Sequence, residues 1–470
     1  MITFLVSFLI LIFGYLLYGK LVERIFAPDS KRATPAVTLN DGVDYVPMKP
    51  WKIFTIQFLN IAGLGPIFGA IMGAKFGASA YIWIVVGCIF AGAVHDYLAG
   101  MLSLRNNGAS LPELIGKYLG ISMQQFTRLF SIVLMVLVGV VFISGPAGLL
   151  QSLTSLGQWW WIGIIFAYYL LASMLPIDKL IGKVYPLFAV ALLFMAVGIL
   201  VVLLINQPML PEITDGLQNT HPLADSTPIF PMLFISIACG AISGFHATQS
   251  PLMARCMTNE KQGRPIFYGA MIVEGMVALI WAAAANAFFA QNGMGENNAA
   301  IIVNEISTNW LGVLGGGLAI LGVIFAPITS GDTALRSARL IMADMFAVDQ
   351  KPIKNRLLIC VPMFLVAAAI LLYSLNDAEG FNIIWRYFAW ANQTLGVITL
   401  WALSVWLMRT RRKWHWMTLI PAIFMTVVVT LYILIADEGL NLSYIPSVIA
   451  SITLSLLLTL LFYYKELKRK

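Results

Sequence analysis

Long apolar runs separated by short polar loops dominate the chain. Thirteen of them approach the length of about 20 residues that a helix needs to cross a bilayer. They fall near 2–18, 53–76, 81–102, 126–143, 159–175, 185–205, 229–251, 266–289, 311–328, 357–373, 382–408, 416–436 and 444–463. In hydrocarbon a backbone must satisfy its own N–H and C=O groups, and a helix does so within one segment. The pattern therefore predicts an all-α polytopic membrane protein with about 13 transmembrane helices. No basic residue precedes the first run, whereas Lys20 and Arg24 follow it. That is the reverse of a cleavable leader, so the run is read as a helix.

Charge adds direction to this count. Of the 29 Lys and Arg residues, only Lys75 and Arg386 lie at even-numbered junctions; the others follow odd-numbered runs. The positive-inside rule then puts the N-terminus outside and the C-terminus in the cytoplasm of a multi-pass membrane protein. The net charge of +7 is thus a cytoplasmic face against the lipid bilayer and not a nucleic-acid surface. The outer loops are acidic, with Glu212, Asp215 and Asp225 in one and Glu296 and Glu305 in the next. A hydrophobic share of 60%, a charged share of 11% and a mean hydropathy of +0.85 exclude a soluble domain, which carries about 25% charged residues. The cysteines Cys88, Cys239, Cys256 and Cys360 stand singly, without the spacing of a disulfide framework or a zinc site. No metal and no cofactor beyond a coupling ion, H⁺ or Na⁺, is expected.

Two runs stop behaving as continuous helices. Within Ile229–Cys256, Gly240, Ser243 and Gly244 lower helix propensity and Pro251 removes a backbone donor. Ser243, His246, Thr248, Gln249 and Ser250 lie among them. Run 2 carries Asn60, then Gly63, Gly65, Pro66 and Gly69 at its middle. Such breaks are either packed kinks or half-helix ends that offer backbone groups and a dipole to a solute. Runs 2 and 7 are five spans apart and travel in opposite directions by the charge rule. That is the plan of a 5+5 inverted repeat, helices 2–6 and 7–11, each opening with a broken helix. It divides the chain into 1–52, 53–205, 206–408 and 409–470.

Six ordered stretches carry a resemblance: NDGVDYVP (40–47), IAGLGPIFG (61–69), AGAVHDYL (91–98), SGFHATQSP (243–251), ITSGDTALRSARL (328–340) and WRYFAWANQTL (385–395). Over about residues 40–410 the chain resembles the carbon starvation protein A family. The resemblance is to a short member, without the long C-terminal extension of the larger proteins to which peptide and pyruvate roles mainly attach. It implies a LeuT-like carrier of the bacterial inner membrane that imports peptides or pyruvate in the carbon starvation response.

Polar residues inside the runs complete the candidate set. A charge at mid-bilayer costs about 2.5–3.5 kcal/mol on insertion scales, so each needs a reason. His95 and Asp96 in run 3 read as a proton relay or as a helix–helix bond. Glu274 in run 8 is alone and reads as a packing contact or an ion site. Thr329, Ser330, Asp332 and Thr333 follow run 9, with hydroxyls and a carboxylate suited to a hard cation. In LeuT-like carriers the corresponding helix supplies hydroxyl ligands to sodium. Alternatively Asp332 pairs with Arg336 one turn on. Asn392 and Gln393 in run 11 line the path or join helices.

Three classes of function follow. A secondary transporter explains the paired breaks. An intramembrane hydrolase could use Ser243 and His246, or the serine of Ser144-Gly-Pro. No partner acid is evident for it, and neither serine has a G-x-S-x-G context. A channel would show a filter loop in a symmetric subunit. The carrier reading takes the solute at Asn60, Gly63, Gly65, Pro66, Ser243, Gly244, His246, Gln249, Ser250, Asn392 and Gln393. It places ion coupling at His95, Asp96, Thr329, Ser330, Asp332 and Thr333. Pyruvate and short peptides, H⁺ and Na⁺, and the oligomeric state stay open at this level.

Overall fold

The computed structural model describes residues 1–175, 177–295, 299–376 and 380–468; Glu296, read above as an outer-loop acid, lies outside them. The described residues form helices and loops, with no strand. In chain order the long elements are α1 (Ile2–Phe26), α2 (Pro50–Ile61), α3 (Gly65–Ala74), α4 (Ser79–Arg105) and α5 (Leu111–Leu119). Then follow α6 (Ile121–Leu153), α7 (Gln158–Met174), α8 (Ile177–Asn206), α9 (Ile229–Ser236) and α10 (Gly244–Ala254). The chain ends with α11 (Glu260–Asn292), α12 (Ala299–Phe346), α13 (Ile353–Asn376), α14 (Gly380–Thr410), α15 (Trp416–Ile435) and α16 (Tyr444–Lys468). Among the described residues nine helices are long and apolar enough to cross a membrane, ten if the bent pair α2–α3 is one span.

Both expected breaks are present. Helix α2 ends at Ala62, whose φ of −83° and ψ of 53° leave the helical region. Helix α3 restarts at Gly65 with a π-helical turn around Pro66, and the two axes bend by 53°. The second break spans 237–243, between α9 and α10, and turns at Gly240 with φ +94°. Only glycine holds that left-handed conformation at no steric cost.

One expectation needs correction. The apolar run 311–328 ends before the helix does: Thr329–Thr333 follow the run yet lie inside α12, which continues to Phe346. Its inner half is buried in the bundle, where polar side chains need no helix end. Hydropathy marks where lipid stops, and a helix stops only at a breaker. At the other end Gly312, with φ +68°, interrupts the helical backbone.

Loops after odd-numbered runs meet one another on one face. Arg105 donates to Glu260 from both Nε (3.0 Å) and Nη2 (2.8 Å), while Glu260 also takes the Asp29 N–H at 2.7 Å. The Asp41 carboxylate takes the N–H groups of Val43, Asp44 and Tyr45 and so holds the turn. That turn sets Asp44 against Arg339 (3.3 Å) and Arg336 (3.6 Å) of α12. Burial pulls the Asp44 carboxyl upward, but Arg339, Arg336 and Arg255 outweigh it and hold the group below the usual carboxylate range. Its stabilisation is therefore complete above the ordinary value of about 3.9. It fades only as pH falls through the lower folded value. At neutral pH, Asp44→Asn leaves two buried guanidinium groups short of their anion. Breaking a buried pair typically costs about 3–5 kcal/mol, so a lower unfolding temperature in detergent is expected; an unchanged one contradicts the clasp.

The opposite face collects the even junctions. Thr220 donates to the carbonyl of Lys75 (2.7 Å), Arg386 pairs with Glu438 (3.2 Å), and Glu212 takes the N–H groups of Ile2 and Thr3.

Candidate functional site

The two breaks touch. A methyl group at Gly65 would overlap Cβ and Sγ of Cys239, and one at Gly69 would lie 2.7 Å from the Ser236 carbonyl. A π-helical turn of α4, Gly87–Gly92, lies under the second break: a methyl group at Gly92 would overlap the Ala241 carbonyl. Glycine at these positions is what lets three backbones approach. The freed backbone groups find partners on neighbouring helices, as burial demands. Trp83 Nε1 donates to the Ile237 carbonyl (3.0 Å) and Gln393 Nε2 to that of Phe234 (3.0 Å). Asn392 Oδ1 accepts from the Phe245 N–H (2.6 Å) and Ser243 Oγ (3.1 Å), so a side chain from α14 caps α10. Gly244 packs directly on the backbone of Asn392 and Gly396.

Beside the second break lies a buried acid–base cluster. His95 Nδ1 stands 2.8 Å from Asp96 Oδ1 and His246 Nδ1 2.8 Å from Asp96 Oδ2. His246 Nε2 is 3.5 Å from Glu274 Oε2, and all four side chains are 0% exposed. His246 therefore does have an acid partner, which spacing along the chain did not reveal. A Ser–His–Asp arrangement is nevertheless not formed, because Ser243 Oγ donates to Asn392.

Beside the first break lie the hydroxyls of α12. Ser330 Oγ donates to the carbonyls of Leu59 (2.7 Å) and Ala326 (3.0 Å), and it would stand 3.1 Å from a methyl group at Gly63. Thr329 and Thr333 bond carbonyls of their own helix. Asp332 Oδ2 accepts from Tyr185 OH at 2.7 Å, while Oδ1 is buried without a partner. The alternative pairing with Arg336 is not formed. That guanidinium donates to the carbonyls of Ala172 (2.6 Å) and Leu175 (3.0 Å) and faces Asp44.

The remaining candidates are scattered. Asn60 is buried with neither amide atom bonded, as is Gln57 one turn earlier. Pro66 is buried in the π-helical turn. Ser250 Oγ bonds the His246 carbonyl of its own helix. Gln249 points away from His246, donating to Thr248 (2.9 Å) and Ser337 (3.3 Å). Sequence reasoning left Cys239, Glu274 and Tyr185 out of the site. Glu274 was visible as a solitary carboxylate in an apolar run, whereas nothing in the chain marks Tyr185.

The model of the family "Carbon starvation protein CstA" matches residues 1–150, 146–313 and 291–432. The chain belongs to the CstA family. It is 46% identical over 340 residues to an uncharacterized membrane protein of Haemophilus influenzae, covering 62% of this chain and 91% of that one. The peptide transporter CstA of Campylobacter jejuni is 26% identical, over 94% of this chain and 81% of that protein. The pyruvate/proton symporter BtsT of Escherichia coli is 29% identical over 62% of this chain, which corresponds to 52% of BtsT. Among solved structures the chain superposes on MhsT in complex with L-phenylalanine with a TM-score of 0.61 and 12% identity, covering 82% of this chain and 98% of MhsT. A manganese transporter of Eremococcus coleocola gives a TM-score of 0.55 at 14% identity, over 92% and 99%. The fold of this CstA-family chain is that of LeuT-type transporters. Five of the six stretches quoted above border the two breaks or their polar clusters, and the sixth, 40–47, clasps α12 on the basic face.

Proposed function

We propose that the chain is a secondary active transporter, not an enzyme, that imports a small carboxylate-bearing nutrient, pyruvate or a short peptide, with H⁺ across the bacterial inner membrane. The observation that carries this is the contact of two helix breaks, Gly65 against Cys239 and Gly69 against Ser236, inside a shell of buried polar groups. A broken helix in hydrocarbon is costly, and a solute site at a repeat interface is its established use. The solute is held between the breaks, with Ser243 and His246 as contacts, Gln249 on the exit side and the Phe245 N–H committed to Asn392. Thirteen crossings, an inverted repeat of helices 2–6 and 7–11, an outside N-terminus and a cytoplasmic C-terminus complete the reading. The names of its relatives, peptide transporter and pyruvate/proton symporter, support the solute and the ion.

The proposed release route uses two neighbouring cavities. A cavity of about 600 Å³ opens on the basic face, lined by Tyr45, Arg128, Arg255 and Asp344 among others. Arg255 also borders a narrow gap between Thr248 and Ser337, the two hydroxyls bonded by Gln249. Release runs along this polar line. Purified protein in liposomes should accumulate labelled pyruvate or a dipeptide under an imposed H⁺ gradient. No accumulation of either, under H⁺ or Na⁺ gradients, overturns the reading. Orientation is checked separately: cysteines at the exposed positions Asp225 and Lys261 should react with an impermeant thiol reagent from the periplasmic and the cytoplasmic side respectively. The reverse pattern removes the charge argument.

A further inference from the structure

The unwound segment places Cys239 Sγ beside two side chains that lie far from it in sequence. The donor atoms of Cys239, His246 and Glu274 all lie within 4.8 Å of one another, and all three residues are buried. Cys239 comes from the break, His246 from α10 and Glu274 from α11.

Hydrogen bonding then decides what these atoms present. A carboxylate only accepts, so the ring nitrogen bonded to Asp96, Nδ1 of His246, carries the proton. A metal would require the neutral ring, with the lone pair on Nε2; that atom stands 3.5 Å from Glu274 Oε2 and makes no hydrogen bond of normal geometry. Neither oxygen of Glu274 makes one either. With the ring neutral, nitrogen and carboxylate lone pairs converge, and the Cys239 sulfur beside them makes only long contacts, donating to Ser243 Oγ and accepting from Asn392 Nδ2, each at 3.7 Å. Among the described residues no Lys or Arg lies within ion-pair distance of Asp96 or Glu274; only His95 and His246 do. Buried carboxylates without a counter-charge are strongly disfavoured, and a divalent cation supplies one.

We propose that Cys239, His246 and Glu274 form a binding site for a divalent metal ion of the zinc and cobalt class. One sulfur, one imidazole nitrogen and one carboxylate oxygen are the donors that this borderline-soft class prefers. Tetrahedral ligands at the usual bond lengths stand about 3.3–3.8 Å apart. His246 Nε2 and Glu274 Oε2 already stand 3.5 Å apart, so only the Cys239 sulfur has to close in, by at most about 1 Å, within reach of rotation of a side chain carried on unwound backbone. Asp96 orients the imidazole from its far side, as metal-bound histidines require, and His95 holds Asp96 in turn. Three protein donors leave a fourth position open at the helix break, for water or for the carboxylate of a solute; that last clause rests on the transport reading.

The test uses the full chain in detergent, titrated with Co²⁺ after chelation and dialysis. One Co²⁺ per chain is expected, with a thiolate-to-cobalt charge-transfer band in the near ultraviolet that added Zn²⁺ removes. Cys239→Ser should lose that band, and Glu274→Gln and His246→Ala should abolish tight binding. Asp96→Asn, which removes only the orienting group, should weaken binding by about 10–100-fold. Asp332→Asn, remote from the donors, should bind like the wild type. A wild-type chain that retains no stoichiometric Co²⁺, or a band unchanged in Cys239→Ser, overturns the site and leaves His246 as a cation between two carboxylates. No gradient or uptake enters this measurement. Its failure therefore leaves the transport reading standing, and failure of uptake leaves the metal site standing.

Discussion

Asp332→Asn is expected to leave exchange of solute down its gradient intact and to abolish accumulation against one. Asp332 sits mid-way along α12, fully buried, with one oxygen bonded to Tyr185 and the other without a partner. It lies two residues after the Ser330 that bridges to the Leu59 carbonyl at the first break. A buried carboxyl so placed can take up and release a proton as the breaks rearrange, and an amide of the same shape cannot. Tyr185→Phe, which removes the hydroxyl on Oδ2, should shift the pH dependence of uptake without stopping exchange. Arg336→Gln should not rescue Asp332→Asn, because Arg336 is held by Asp44 and by the carbonyls of Ala172 and Leu175. Counterflow and gradient-driven uptake in the same liposomes separate the two effects. Full accumulation by Asp332→Asn would move coupling to His95 and Asp96. Ser330→Ala should reproduce the defect only if the ion is Na⁺, since a proton needs no hydroxyl ligands.

Gly65→Ala is expected to abolish transport with a single methyl group. The added Cβ would overlap Cβ and Sγ of Cys239, and Cβ is fixed to the backbone, so the two breaks must part. Overpacking of this kind costs about 1–3 kcal/mol; the protein should still insert and fold, at a lower unfolding temperature. Cys239→Gly in the same chain removes the overlap and should restore the unfolding temperature. Uptake of wild-type rate by Gly65→Ala would return the breaks to ordinary kinks.

Several parts of the site were legible in the chain because they break local rules. Glycine and proline inside an apolar run, and charges in hydrocarbon, are each costly and so point to themselves. Gly63, Gly65, His246 and Asp96 stand out as candidates in this way, with the hydroxyls of Ser243 and Ser330 beside them. Pairing was legible only where it is local, and even there it misled. Asp332 and Arg336 are one helical turn apart, yet each bonds elsewhere, because Tyr185 and Asp44 approach from other elements. Asn392 reads as a path-lining amide and serves as the cap of α10, a role set by the 2.6 Å approach of the Phe245 N–H.

Sequence alone determined that this is an all-helical membrane protein with two interrupted helices. Hydropathy and helix propensity are local quantities, summed over neighbouring residues, and no partner is needed to evaluate them. Tertiary structure alone decided that the breaks face each other through Gly65 and Cys239, that Asp96 joins His95 to His246, and that Glu274 stands across the ring from Asp96. Two of those contacts, Gly65 with Cys239 and Asp96 with His246, join residues more than a hundred positions apart, and a buried group's chemistry is set by what lies within hydrogen-bonding distance of it. That distance is a property of the packed bundle, and no local pattern in the chain encodes it.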